Sequence, residues 1–284
     1  MDSRNRQILS SLLVVVVLLL AASLACGTTT ITGSLNVATQ VALTLAAGNA
    51  NPASATISPS GSSVDFNGIT FSYDPSIAQG VTTSVIPAVP AGEGAPFDMA
   101  PQTEQIDFTS YVTGDKFHDP RIMVYPVNEY KALNPQVADI ITKLQQYIAN
   151  KPNIPSGSIP FLPIWNAGQL FSAAPAFISF QNGQGIRFLA EYGQYMAPVN
   201  NTDLFYTFQG ITNDGNYYVS AILPITHPSL PANYQVDATL QAQIDANYDA
   251  YLAGILPTLA AQPPDSFTPN LSFLDAMIIS LKIH

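Results

Sequence analysis

Cysteine occurs once in this chain of 284 residues, at Cys26, so no disulfide can close within it and a cluster of thiolate metal ligands is excluded. Charge is scarce too. Asp, Glu, Lys and Arg make up 10% of the residues, where a soluble domain usually carries about a quarter. Nine basic residues stand against nineteen acidic ones, a formal net charge of −10. With so few cations and no basic cluster, neither a phosphate backbone nor an anionic lipid surface gains much from this chain, and nucleic-acid binding is not expected. Histidine appears three times (His118, His227, His284) and tryptophan once, at Trp165. No Gly-x-Ser-x-Gly elbow, His-Glu-x-x-His pair, phosphate-cradling glycine loop or dinucleotide fingerprint occurs. These gaps argue against thiol, serine-hydrolase, metalloprotease and nucleotide-dependent chemistry, and no cofactor is expected.

The chain is rich in uncharged material, with 47% hydrophobic residues. Arg4 and Arg6 lead into Ile8 to Leu24, and the solid apolar part, Leu12 to Ala22, has the length of a signal-peptide h-region. It is short for a spanning helix, which needs about 20 apolar residues. Ser23-Leu24-Ala25-Cys26-Gly27 ends the run. A lone Cys placed directly after an h-region and behind small residues resembles the lipobox of bacterial lipoproteins. The family usually carries Leu three places before the Cys; here Ser23 stands there, with Leu24 next to it. The resemblance implies removal of residues 1–25 and acylation of Cys26, which holds the chain on the extracytoplasmic side of the cell membrane. Each buried CH₂ of such an anchor contributes about 0.8 kcal/mol. Two other readings stay open: ordinary signal cleavage that leaves Cys26 a free thiol, and an uncleaved signal anchor.

From Gln7 to Val64 no residue is charged, and beyond Cys26 the composition turns to Thr, Ala, Ser, Gly and Asn. Residues 26–63 therefore read as the lipidated Cys and a flexible tether. Within it, Asn36 to Ala47 is either a helix with Val37, Val41 and Leu45 on one stripe or part of an unstructured stalk.

Residues 64–284 read as one α+β domain organised around Phe177 to Ile225. There, four runs of aromatic and β-branched residues alternate with turns at Asn182-Gly183 and at Asn213-Asp214-Gly215-Asn216, an order that favours positive φ and an antiparallel meander. Ahead of it, Val64 to Tyr73 reads as a hairpin around Asn67-Gly68. Asp74-Pro75 has the form of a short helix start, and Val81 to Val89, Ile106 to Val112 and Arg121 to Pro126 read as strands, the last near the sheet centre. Ala88 to Pro101 reads as a Pro/Gly-rich loop. Asn134-Pro135 opens a helix with Val137, Ile140, Ile141, Leu144 and Ile148 on one face. Pro152 to Pro175 is apolar but too proline-rich for a central strand, and is expected to wrap the core. Leu240 to Leu259 reads as a long helix broken at Pro257, and Thr268-Pro269 as the start of a last helix before a closing strand at Leu281 to Ile283.

The hairpin Gly68-Ile69-Thr70-Phe71-Ser72-Tyr73-Asp74-Pro75-Ser76, together with the order meander, long helix, short helix, closing strand, resembles the PsbP/Mog1-like fold. That likeness covers the order of elements from Val64 onward and no catalytic motif. It implies an antiparallel sheet covered by helices, in a group whose members are mostly non-catalytic binding or assembly proteins. The loop at Ala88 to Pro101 and the proline-rich segment depart from the pattern.

For chemistry, one constellation stands out: Asp115, His118, Asp119 and Arg121 fall within seven positions of a charge-poor chain. They suit a cation site or a histidine base, and equally a polar turn before the next strand, with Asp119 pairing Arg121. The aromatics Tyr192, Tyr195, Phe205, Tyr206, Phe208, Tyr217 and Tyr218 suit either a ligand groove or ordinary cross-strand packing. Asn213 to Asn216 has some flavour of a calcium loop but reads better as a turn. His284 is terminal and expected to be mobile. The function expected is a membrane-anchored envelope lipoprotein with a non-catalytic domain that binds a ligand or an unknown partner. The alternatives are an extracytoplasmic metal-dependent or hydrolytic enzyme built on Asp115, His118 and Asp119, and a structural or adhesive protein presenting the aromatic meander.

Overall fold

The computed structural model describes residues 61–154 and 158–284. The expected signal peptide, Cys26, nearly all of the expected tether and the Asn36 to Ala47 segment lie outside the described residues. The domain is α+β, with two antiparallel sheets and, among the described residues, five α-helices. Strand β1 (Ser62–Phe66) opens two residues ahead of Val64, and pairs with β2 (Ile69–Tyr73) across Asn67 and Gly68. Those turn residues have φ of 47° and 82°, as a tight two-residue hairpin requires.

The next expectation fails. Asp74-Pro75 makes a single turn, with Asp74 accepting from the backbone N–H of Ser76 at 2.8 Å. Ile77 is fully buried and leads straight into a strand, β3 (Ala78–Ile86), so no helix can grow there. Strand β4 (Thr103–Tyr111) follows the long loop, then β5 (Arg121–Pro126). A short helix that the sequence reading passed over, α1 (Val127–Leu133), runs directly into α2 (Pro135–Asn150). Asn134 caps α2 as expected, its side chain accepting from the Gln136 N–H at 2.9 Å, and Val137, Ile141 and Leu144 face the core.

The meander is present as β6 (Gly168–Phe180), β7 (Gly183–Gly193), β8 (Phe205–Thr212) and β9 (Tyr217–Pro224). These strands complete a seven-stranded sheet in the order β3-β4-β5-β9-β8-β7-β6. Pro175 falls in β6, an edge strand with two register shifts, the position where a missing N–H costs least. The β6–β7 turn differs from expectation. Its centre is Gln181-Asn182, neither Asn182 nor Gly183 has positive φ, and Gly183 already pairs with Phe180. Glycine is needed at 183 for space: a Cβ there would stand 2.0 Å from the Phe180 ring.

Every residue of β8 is buried, because both faces of the sheet are covered. On one face lie the small sheet, α4 (Tyr248–Ala260) and α5 (Leu271–Ser280), packed through residues such as Phe71, Phe108, Tyr206 and Leu274. On the other lie α1, α2 and the proline-rich segment, packed through Tyr130, Ile141, Leu162 and Phe188. Of the proline-rich segment, residues 158–167 wrap the core as expected while 168–175 join β6, and a buried polar network holds the wrapping part. Gln209 accepts from the Leu162 N–H at 3.0 Å and donates to Thr207 and Ser220, while the Ser220 hydroxyl donates to the Leu162 carbonyl at 2.6 Å. A segment without ladder hydrogen bonds thereby has its buried backbone groups satisfied.

The C-terminal third corrects two boundaries. The long helix breaks at Asn247, between α3 (Ala238–Ala246) and α4, where Asn247 is extended and accepts from the Ala250 N–H. Pro257 lies inside α4 near its end and does not break it. Asn270, not Thr268, caps α5. Strand β10 (Lys282–Ile283) closes on β2, and the backbone N–H of His284 donates to Gly68 at 2.9 Å, so this terminal backbone is held.

Candidate functional site

The meander has two unlike ends. At one, β6–β7 and β8–β9 are joined by short turns. At the other, the loop 112–120 before β5, the residues 163–167 before β6 and the loop 194–204 after β7 come together. These long connections enclose a half-open cavity of about 600 Å³, lined by residues including His118, Arg121, Trp165, Glu191, Tyr192, Tyr195 and Asp203.

His118 is fixed by aromatic packing. Its ring stacks on Trp165 at 4.6 Å and 9°, and meets Phe205 edge-on at 4.7 Å and Phe117 at 4.8 Å. Its Nε2 is buried and has no hydrogen-bond partner among the described residues. Burial lowers its pKa to about 4; the nearby Arg121 charge acts in the same direction and Asp119 opposes it. The imidazole is therefore neutral at physiological pH.

The four residues singled out in the sequence do not act as one cluster. His118, Asp119 and Arg121 line the cavity, whereas Asp115 is exposed and does not. Asp119 pairs with Arg121 at 2.5 Å, and Asp107 lies 3.6 Å from the same guanidinium, so the polar-turn alternative describes these charges. Among the described residues no three His, Cys, Asp or Glu side chains gather as a metal site. The Asn213 to Asn216 segment is a hairpin turn in which Asp214 accepts from Thr212 and Asn216.

Glu191 was missed. It occupies β7 just where β8 has ended, with only 1% of its surface exposed. One carboxylate oxygen accepts from the Asn200 N–H at 2.7 Å, while Oε2 has no hydrogen-bond partner among the described residues. Burial raises its pKa well above the carboxylate range; the Asn200 hydrogen bond opposes this and the Asp203 charge adds to it. The signal in the sequence was a carboxylate directly after the apolar run Phe188-Leu189-Ala190 and before Tyr192, a placement that needs a partner or a purpose. Asn200 itself is buried, its side chain bonded to Asp203 and the Pro198 carbonyl, so it folds the loop against Glu191.

Of the aromatic set, Tyr192 and Tyr195 line the cavity and Phe205 backs His118. Tyr206, Phe208 and Tyr218 are fully buried and Tyr217 packs at the core margin, so these four take the ordinary packing role. Tyr195 and Phe117, 65% and 69% exposed, stand at the cavity's rim. Compared with known proteins, the chain matches no family model, no curated protein and no solved structure.

Proposed function

We propose that this chain is an acyl-anchored bacterial envelope lipoprotein whose domain binds a small ligand, without catalysis, in the cavity at the loop end of the sheet. The observation that carries the binding half is a half-open, aromatic-walled cavity whose lining includes His118 and Glu191, each with a buried polar atom that has no partner among the described residues. Native proteins satisfy nearly all such groups, so two at one concave site favour a ligand that completes them. The anchor half rests on Cys26 and the charge-free stretch after it. The PsbP/Mog1-like reading rests on the order of elements and belongs to the same proposal. His118 suits binding better than base catalysis, because it is stacked, its pKa lowered to about 4 makes it a weak base, and among the described residues no carboxylate is hydrogen-bonded to it to orient the ring.

Native mass spectrometry on the full chain released from membranes tests the binding half. A co-purifying small molecule is expected in the wild type and absent from Ala167→Trp, which fills the cavity from its wall. An identical, empty spectrum for both proteins refutes a resident ligand. Metabolic labelling with a fatty-acid analogue tests the anchor, and equal absence of label in the wild type and Cys26→Ala rejects acylation.

A further inference from the structure

Resting on that binding reading, we infer that the ligand is an organic cation, a quaternary or primary ammonium group, received by Glu191 and Asp203 between the rings of Trp165, Tyr192 and Tyr195. The charge on the walls is the first ground. Three acids, Asp119, Glu191 and Asp203, line the cavity with a single permanent cation, Arg121, which is already matched by Asp107 and Asp119. Among the described residues no cationic side chain acts on Glu191: its electrostatic partners are another acid, Asp203, and two tyrosines, Tyr248 and Tyr251. A buried carboxyl with an unpartnered oxygen and no cation of its own awaits a positive charge supplied from outside.

The ring arrangement is the second ground. Trp165 and Tyr192 meet edge to face at 5.0 Å, and Tyr195 stands half in solvent at the mouth. One face of Trp165 is taken by His118, while Tyr192 and Tyr195 line the same cavity as Glu191, and aromatic rings beside an acid attract ammonium ions through their quadrupoles. A bare metal ion does not fit the description. The cavity, about 600 Å³, is far larger than an ion, and three ligating side chains do not gather among the described residues. An anionic ligand meets an acidic wall in a chain of net charge −10.

Trp165 is the only tryptophan in the chain, so its fluorescence reports this cavity alone. The full chain in detergent is titrated at constant ionic strength with choline, with its uncharged carbon isostere dimethylbutanol, and with a neutral disaccharide. Choline is expected to change the Trp165 emission saturably and to bind at least about tenfold tighter than the isostere, a difference of roughly 1.4 kcal/mol. Glu191→Gln is expected to remove that preference while leaving the isostere's binding unchanged, and Tyr195→Ala, at an exposed position, to weaken choline alone. Equal binding of choline and isostere, or a response to the disaccharide only, overturns the cation and leaves the binding site standing. No saturable response to any of the three overturns the cation, and the same silence together with an empty mass spectrum removes both readings. Choline affinity unchanged in a folded Glu191→Gln protein also overturns the inference.

Discussion

The two ends of the meander are made from the same strands but treat polar groups in opposite ways. At the turn end, Asn182 donates to the Ile283 carbonyl and accepts from the Ile283 N–H, Gln181 bonds the carbonyls of Ile279 and Leu281, and Asp214 is saturated by its own turn. At the loop end, His118 Nε2 and Glu191 Oε2 are buried with no hydrogen-bond partner among the described residues. The first end is built for stability, since each satisfied bond adds about 1 kcal/mol net. The second holds buried groups without partners among the described residues, as expected where a ligand is to be received.

That contrast can be broken by measurement. The largest effect is expected from Phe205→Ala, which removes a fully buried ring beneath His118 and should cost about 3–5 kcal/mol in denaturant unfolding. A cost below about 1 kcal/mol indicates that the aromatic cluster is not packed as described. Next comes His118. Its folded pKa lies near 4 against an ordinary value of 6.5. The unfolded chain therefore takes up the proton first, and stability falls as pH drops through that window. Relative to His118→Phe, which keeps an aromatic ring and cannot titrate, the wild type should lose on the order of 2 kcal/mol between those two values. Parallel pH profiles for the two proteins contradict a buried, neutral imidazole.

At the turn end, Asn182→Ala should cost about 1–2 kcal/mol and raise amide exchange in Lys282 and Ile283. The smallest effect, and the sharpest for the comparison, belongs to Glu191→Gln. The folded-state pKa of Glu191 is raised, so its contribution is fully present below the ordinary carboxylate pKa and is lost as pH rises. At about pH 4 variant and wild type should agree within about 0.5 kcal/mol, and the variant should pull ahead as pH increases. A variant that instead becomes steadily less stable than the wild type with rising pH would show that Glu191 has a cation partner.

Much of the fold was legible from local chemistry. The Asn67-Gly68 hairpin, the Asn134 cap with its apolar stripe, the long Pro/Gly loop and the four meander strands are all specified by residues within a few positions of one another. Failures occurred where a neighbour in space overruled local preference. Asp74-Pro75 has a helix-start pattern but makes one turn only, because Ile77 is buried and β3 begins at the next residue. Asn182-Gly183 has the look of a positive-φ turn but serves the Phe180 ring and the C-terminal strand. Half of the candidate site was visible for a similar reason. The His118 cluster is contiguous in sequence, whereas Trp165, Glu191 and Asp203 come from separate segments of the chain.

The sequence by itself determined the α+β class, the antiparallel meander and the scarcity of charge, because period, turn chemistry and composition are local properties of the chain. Only the tertiary structure decided that both faces of the sheet are covered, that Asp115 stands apart from His118, and that Glu191 lies buried beside a cavity. Burial and the loss of a hydrogen-bond partner depend on which distant segments pack together, and no spacing along one strand encodes that.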